Sequence, residues 1–361
     1  MKVLAYYLPQ FHEVSENNKW WGQGFTEWTN VRNAKPLYDG HIQPRIPLNN
    51  NYYDLLSVSA LKWQAKLLHD YNIYGLCYYH YWFEGRKILE SPAELLLANH
   101  DIEQRFCFCW ANHDWRRTWN STNELLINQG YGDESEWVEH LEYLMPFFKD
   151  SRYIKVNNRP VFVVYNLATI LRAKERFEFY SNYLKENGFD GIELIQSVNN
   201  YSEIDGARCS ANVVLREPSF THFSTESVFK KFERKLKSNK SFSLFSKPRM
   251  YSFSEISNKS ISYNINHSVN DFEGKIYLGA FGGWDSTPRH GKHGYIISQP
   301  YADEFKAYLD RLQGLISSNE KFSDIVFYNA WNEWGEGCYL EPDCNNEYLY
   351  LDVVAKFSDE A

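Results

Sequence analysis

The sequence predicts a (β/α)₈ TIM barrel, and three observations carry that prediction. Eight short apolar runs stand at residues 3–7, 73–82, 105–111, 160–165, 192–198, 211–215, 276–280 and 325–330. Stretches with helical spacing fall between many of them, at residues 55–71, 93–99, 137–148, 168–187 and 303–315. Such alternation specifies a parallel sheet with crossover helices, and eight units close into a ring. The first run leads into Leu8-Pro9-Gln10 rather than a glycine-rich turn, and no Walker A motif occurs, so an open nucleotide-binding sheet is disfavoured.

Taken in order, the first run is stopped by Pro9. The stretch at 55–71 sets Leu61, Ala65 and Leu68 on one helical face and ends near Asn72. A helix at 93–99 precedes the third strand, and one at 137–148 precedes the fourth. The stretch at 168–187 stops at Gly188, the residue that tolerates a helix end best. Strands five and six follow closely, and the helix at 303–315 leads to the eighth strand. One domain over residues 1–361 is expected, with an insertion at 216–275 between strands six and seven. Within it, residues 230–249 hold eight Lys/Arg and one Glu. That segment is either a solvated surface loop or a basic patch for an anionic glycan, a lipid-linked acceptor or a membrane surface.

Composition bounds the function. The net charge of −8 opposes general nucleic-acid binding, which needs a basic face for phosphates. No run of 18 apolar residues exists to span a membrane. Six cysteines without a C-x-x-C pair, and an N-terminus lacking a signal-peptide pattern, imply a cytoplasmic protein with reduced thiols. Aromatic residues make up 17% of the chain, including 12 Trp and 27 Tyr. Tyr and Trp offer a flat apolar face with a polar tip, which suits the C–H faces and hydroxyl rims of sugars; an aromatic-rich core is the plainer explanation.

In a barrel the active site lies at the carboxyl ends of the strands, so the residues after each run are the candidates. After the eighth come Asn329-Ala330-Trp331-Asn332-Glu333-Trp334-Gly335-Glu336-Gly337. Carboxylates three residues apart meet if this loop makes a helical turn. Crowding splits their pKa values and keeps one protonated, which is what glycosidic cleavage requires. Trp331, Asn332 and Trp334 are candidate substrate contacts on the same loop. Tyr7 ends the first run; His80 and Trp82 end the second; Trp110, Asn112 and Trp115 follow the third; Asp285 and Arg289 follow the seventh. Glu27 and Trp28 join them from the segment after strand one. No tight His or His/Glu spacing supports a metal, and no cofactor is expected.

At these residues the chain resembles the WbsX-type proteins of bacterial polysaccharide gene clusters, which are related to glycoside hydrolase family 99. The matching segments are YYLPQFH (6–12), GFTEWTNV (24–31), HIQPRIPL (41–48), YYHYWFEGRKILESP (78–92), CWANHDW (109–115), WDSTPR (284–289) and NAWNEWGEGCYLEPD (329–343). The resemblance implies a (β/α)₈ barrel and a metal-independent, retaining enzyme acting on a mannose-like glycan of surface-polysaccharide (O-antigen or capsule) metabolism. It assigns Glu336 as general acid/base on the glycosidic oxygen. It assigns Glu333 to draw the proton from the substrate's 2-hydroxyl, which attacks C1 to give a 1,2-anhydro sugar. Direct attack by an enzyme carboxylate is the usual retaining alternative. A glycosyltransferase or transglycosylase, and a non-catalytic glycan-binding barrel, are the rivals. The transferase lacks a D-x-D motif, and the intact glutamate pair opposes the binding module. Two departures bear on specificity: Gly335 stands where the mannosidase motif has His, and His113 where WbsX relatives commonly have Glu.

Overall fold

The structure, a computed structural model, describes residues 1–117, 124–204, 211–223, 248–267 and 272–359. It is the expected α/β barrel. Its strands are β1 (Lys2–Tyr7), β2 (Gly75–Phe83), β3 (Phe106–Trp110), β4 (Arg159–Val164), β5 (Glu193–Val198), β6 (Asn212–Leu215), β7 (Ile276–Tyr277), β8 (Gly279–Phe281) and β9 (Ile325–Asn329). Every pairing around the ring is parallel, in the order β7-β6-β5-β4-β3-β2-β1-β9-β8. The seventh expected strand is therefore two short ones. β7 pairs with β6, β8 pairs with β9, and Leu278 alone joins them. The Leu278 carbonyl accepts from the Phe327 amide at 2.9 Å and the Ile276 carbonyl from the Ser323 amide at 2.8 Å, so bonds to β9 and to the residues just before it carry the ring across its seam.

The helices are α1 (Ser15–Trp21), α2 (Glu27–Asn33), α3 (Val58–Asp70), α4 (Ser91–Ala98), α5 (Glu134–Lys149), α6 (Ala173–Glu186), α7 (Phe253–Asn266), α8 (Thr287–His290), α9 (Ala302–Ser318) and α10 (Leu349–Asp359). The outer helices turn an apolar stripe inward. In α3 this stripe is Ala60, Leu61, Ala65, Leu67 and Leu68, with the polar Gln64 buried among them. The wall strands are buried on both faces: every residue of β3 and β5 is buried, as in sheets covered by helices outside and packed side chains inside.

Part of the expected insertion belongs to the barrel. Within residues 216–275, α7 packs with α9 in the helical layer, where Ser254 donates to Glu304 at 2.7 Å. Arg249–Tyr251 joins a small sheet with Tyr295–Ile297. Residues 230–247, which hold most of the basic segment, lie outside the described residues.

Candidate active site

The carboxyl ends of the strands open into a cleft of about 530 Å³. Glu333 and Glu336 both line it, and so do Glu27 and Arg289. The loop carrying the two acids is set by backbone pairing on both sides. Asn332–Glu333 pairs antiparallel with Cys338–Tyr339, and a short turn at Trp334–Glu336 joins them. Gly337 sits at φ +60° and a Cβ there would lie 2.8 Å from that of Asp285, so only glycine closes this turn without strain. The Trp331 amide donates to the Tyr6 carbonyl at 2.7 Å, and Asn332 brackets Leu8, accepting from its amide and donating to its carbonyl. These bonds stitch the acidic loop to the end of β1.

One guanidinium organises the acids. Arg289 donates through Nε to Glu27 Oε1 at 2.8 Å and through Nη1 to Glu336 Oε1 at 2.5 Å; the same Nη1 lies 3.8 Å from Glu333 Oε2. Three carboxylates thus surround one cation. Burial, then the neighbouring Glu336 charge, pushes Glu333 up to about 8 against the pull of Arg289. Burial also raises Glu27 above the usual carboxylate range, although Arg289 opposes it. At neutral pH Glu333 keeps its proton, and Arg289 sets its guanidinium against Glu336. A protonated acid beside a second, cation-paired carboxyl group is the kind of pair that glycosidic chemistry uses.

The glycine at 335 has a local cause. A Cβ there would stand 1.7 Å from Glu27 Oε1 and 3.0 Å from Arg289 Nε. The Glu27–Arg289 pair fills the place a larger residue's side chain would take.

Trp115 lines the cleft, packed against Tyr81 and Trp20. Several other expected contacts sit elsewhere. Tyr7 is buried on the outer side of β1, where its hydroxyl donates to Gln64 of α3 at 2.9 Å; its neighbours Tyr6 and Leu8 line the cleft. His80 shares a 2.9 Å hydrogen bond with His140 of α5, and burial pulls it down to about 3, so it is neutral. Trp82 donates to Glu136 at 2.5 Å and stacks on His140, while Trp110 lies under Arg176. Asn112 donates to the Asn166 carbonyl and accepts from the Asn166 amide. All five are corrections. For the four on strands, side chains alternate along the strand and these residues have the parity that faces the helices; Asn112, just beyond the end of β3, is turned away by its bonds to Asn166. Their neighbours Tyr79, Tyr81, Ala111 and His113 have the parity that faces the cleft.

Another group supports the acidic loop from behind instead of lining the cleft. Trp28 donates to the Tyr53 carbonyl at 2.8 Å and packs on Trp334. Trp334 stacks on Tyr339 and donates to Glu341 at 2.7 Å; Trp331 is fully buried. Asp285 accepts from Gln43 at 2.7 Å and Thr287 at 2.6 Å, and its Oδ2 lies 2.8 Å from His41 Nε2. Burial works against its charge, yet Arg45 and these partners hold it below the usual carboxylate range. Glu341 is a buried acid that sequence reasoning did not single out. It accepts from Gln64 and Tyr53, each at 2.8 Å, as well as from Trp334, and burial pushes it up to about 7.

Comparison with known proteins agrees with this architecture. The family described as Glycosyltransferase WbsX matches residues 3–354. The chain is 30% identical over 354 residues to the uncharacterized protein WxcX of Xanthomonas campestris pv. campestris, strain B100, and equally so over 355 residues to its counterpart in a second strain. These matches take in 98% of the chain and 49% of each relative, so it spans about half their length. Among solved structures, a GH99 endo-alpha-mannosidase of Bacteroides thetaiotaomicron in complex with BIS-TRIS-propane superposes with a TM-score of 0.61 at 12% identity, covering 99% of this chain and 96% of that one. A second structure described as that mannosidase gives 0.58 at 15% identity, with the same coverage. At these identities the likeness is one of fold.

Proposed function

The chain belongs to the WbsX glycosyltransferase family, and from that premise we propose that it cleaves a glycosidic bond in a bacterial surface polysaccharide or its lipid-linked precursor. The observation that supports this reading is the Glu333–Glu336 pair on one loop of the barrel mouth, with Glu333 protonated at neutral pH and Glu336 bonded to Arg289. We assign Glu336 to the glycosidic oxygen and Glu333 to the substrate's 2-hydroxyl, so that a mannose-like sugar would leave through a 1,2-anhydro intermediate opened by water. In the resting site Glu333 holds a proton at neutral pH, so this division requires Glu333 to give that proton up when the sugar binds. The reverse division, with Glu333 as acid, draws on the hold of Arg289 on Glu336. The cytoplasm is the proposed setting; among the described residues no helix is long and apolar enough to cross a membrane, and the described cysteines are unpaired.

Transfer to a sugar acceptor instead of water is a second reading, favoured by the family's description as glycosyltransferases. Incubation with host polysaccharide and, separately, with nucleotide sugars plus acceptor, followed by mass spectrometry, decides between them. Shortened glycan products support cleavage. Release of free nucleotide coupled to acceptor growth overturns it. The two glutamates are separated by their glutamine variants on a substrate with an activated aryl leaving group. Such a substrate needs no protonation, so it should restore Glu336→Gln but not Glu333→Gln; the opposite pattern exchanges the roles.

A further inference from the structure

The cleft that holds the acids is also lined by an arginine with no carboxylate partner among the described residues. Arg216 follows β6 directly, lines the cleft and is half-buried. Its guanidinium lies 4.0 Å from the centroid of the Tyr165 ring, and its Nη1 donates to the Tyr165 carbonyl at 2.9 Å. Among the described residues no carboxylate pairs with it. The adjacent Glu217 is engaged by His222 and the Ser219 amide, each at 2.9 Å, and by Ser260 at 2.8 Å. The other two arginines of the cleft are occupied: Arg289 by Glu27 and Glu336, and Arg116 by Asp114 at 2.8 Å. Arg216 therefore presents the Nε–Nη2 edge of its fork without a partner among the described residues. That edge matches the two oxygens of a carboxylate. The imidazole of His113, exposed in the cleft, packs against the same Tyr165 ring at 5.5 Å.

We infer that Arg216, braced on Tyr165, forms a subsite for the carboxylate of an acidic sugar within the glycan, so that the substrate is an acidic polysaccharide carrying uronic-acid units. A single unpaired cation suits one negative charge. A diphosphate would call for additional free cations, and the neighbouring arginines are already paired. This rests on the glycan reading above and adds the substrate class to it.

The test measures binding, so it stands whether or not cleavage is the reaction. Uronate-containing oligosaccharides are titrated calorimetrically into the protein, alongside the same oligosaccharides after chemical reduction of their carboxylates to alcohols. The wild type should prefer the acidic form by ~10- to 100-fold, the range expected of a charge-assisted hydrogen bond. Arg216→Gln should lose that preference while binding the reduced form as the wild type does. Arg216→Lys, which keeps charge without the fork, should fall between them. Thermal melts of each variant establish that the fold is intact. Equal affinity of the wild type for both forms overturns the inference, as does a preference that survives in a folded Arg216→Gln protein. Tighter binding of a nucleoside diphosphate than of the uronate oligosaccharide, lost in Arg216→Gln, also overturns it in favour of a phosphate site. Turnover of the polysaccharide, assayed separately, judges the cleavage reading on its own.

Discussion

Glu333 is buried at the edge of the cleft with its proton retained up to pH about 8. Either division of roles needs one proton on the pair, so turnover per bound substrate encounter should fall as pH rises through that value. The measurement is kcat/KM against pH; a rate that keeps climbing past pH 9 contradicts a shared proton. Replacing Glu336 by Gln should lower kcat by roughly 10²- to 10⁴-fold on a natural glycan, the usual contribution of a positioned acid or base. Gly335 gives a structural counterpart. A methyl group there must displace Glu27 or Arg289, so Gly335→Ala should cost about 1–3 kcal/mol, as overpacking does. Adding Glu27→Ala removes the obstacle, and denaturant titration of the double variant should show coupling between the two sites. Additive losses would place the strain elsewhere.

At the level of elements, the acidic loop is fixed from behind by α3 through a chain from Tyr7 to Gln64 to Glu341 to Trp334. Glu341 stays protonated up to pH about 7 in the fold, well above the value of about 4.3 for an exposed glutamate. A raised carboxylate favours the folded state below the unfolded pKa, and that advantage disappears as pH climbs through the folded one. The wild type should therefore lose stability, by up to about 3 kcal/mol, between pH 4.5 and 7. Glu341→Gln lacks this titration, so its deficit against the wild type should shrink over the same interval in urea melts. A constant deficit would contradict a buried neutral acid. These elements also explain why the sequence revealed the position of the cleft better than its lining. The strand ends after residues 82, 111 and 330 were recognisable from apolar runs. Which alternate residues face inward was not, because both faces of the wall are buried and aromatics occupy both parities. Tyr79 and Tyr81 point into the cleft while His80 and Trp82 do not, and no polar–apolar alternation marks the difference. Arg216 offered the clearest missed signal, a charged residue directly after an apolar run.

For the molecule as a whole, eight apolar runs sufficed to identify the barrel because each outer helix and inner strand must bury a face against the next. The break at Leu278 was hidden, since residues 276–280 read as one strand and only the ring's hydrogen bonds divide them. Gly279 is part of that seam. A Cβ there would meet the Leu215 carbonyl oxygen at 2.2 Å, backbone that cannot swing aside. Gly279→Ala should destabilise the entire barrel by about 3 kcal/mol, at the upper end of overpacking, with a lower Tm and an unchanged helical signal in circular dichroism at room temperature. A melting temperature equal to the wild type would show that the seam yields easily.

The bonds from Trp331 and Asn332 to Tyr6 and Leu8 join residues more than three hundred positions apart. During synthesis, then, the first strand emerges long before the acidic loop it will hold, and that loop gains this support only when the two ends of the chain meet. Two fragments cut on an outer loop would each lack it, and it would form again only as they recombine into a ring.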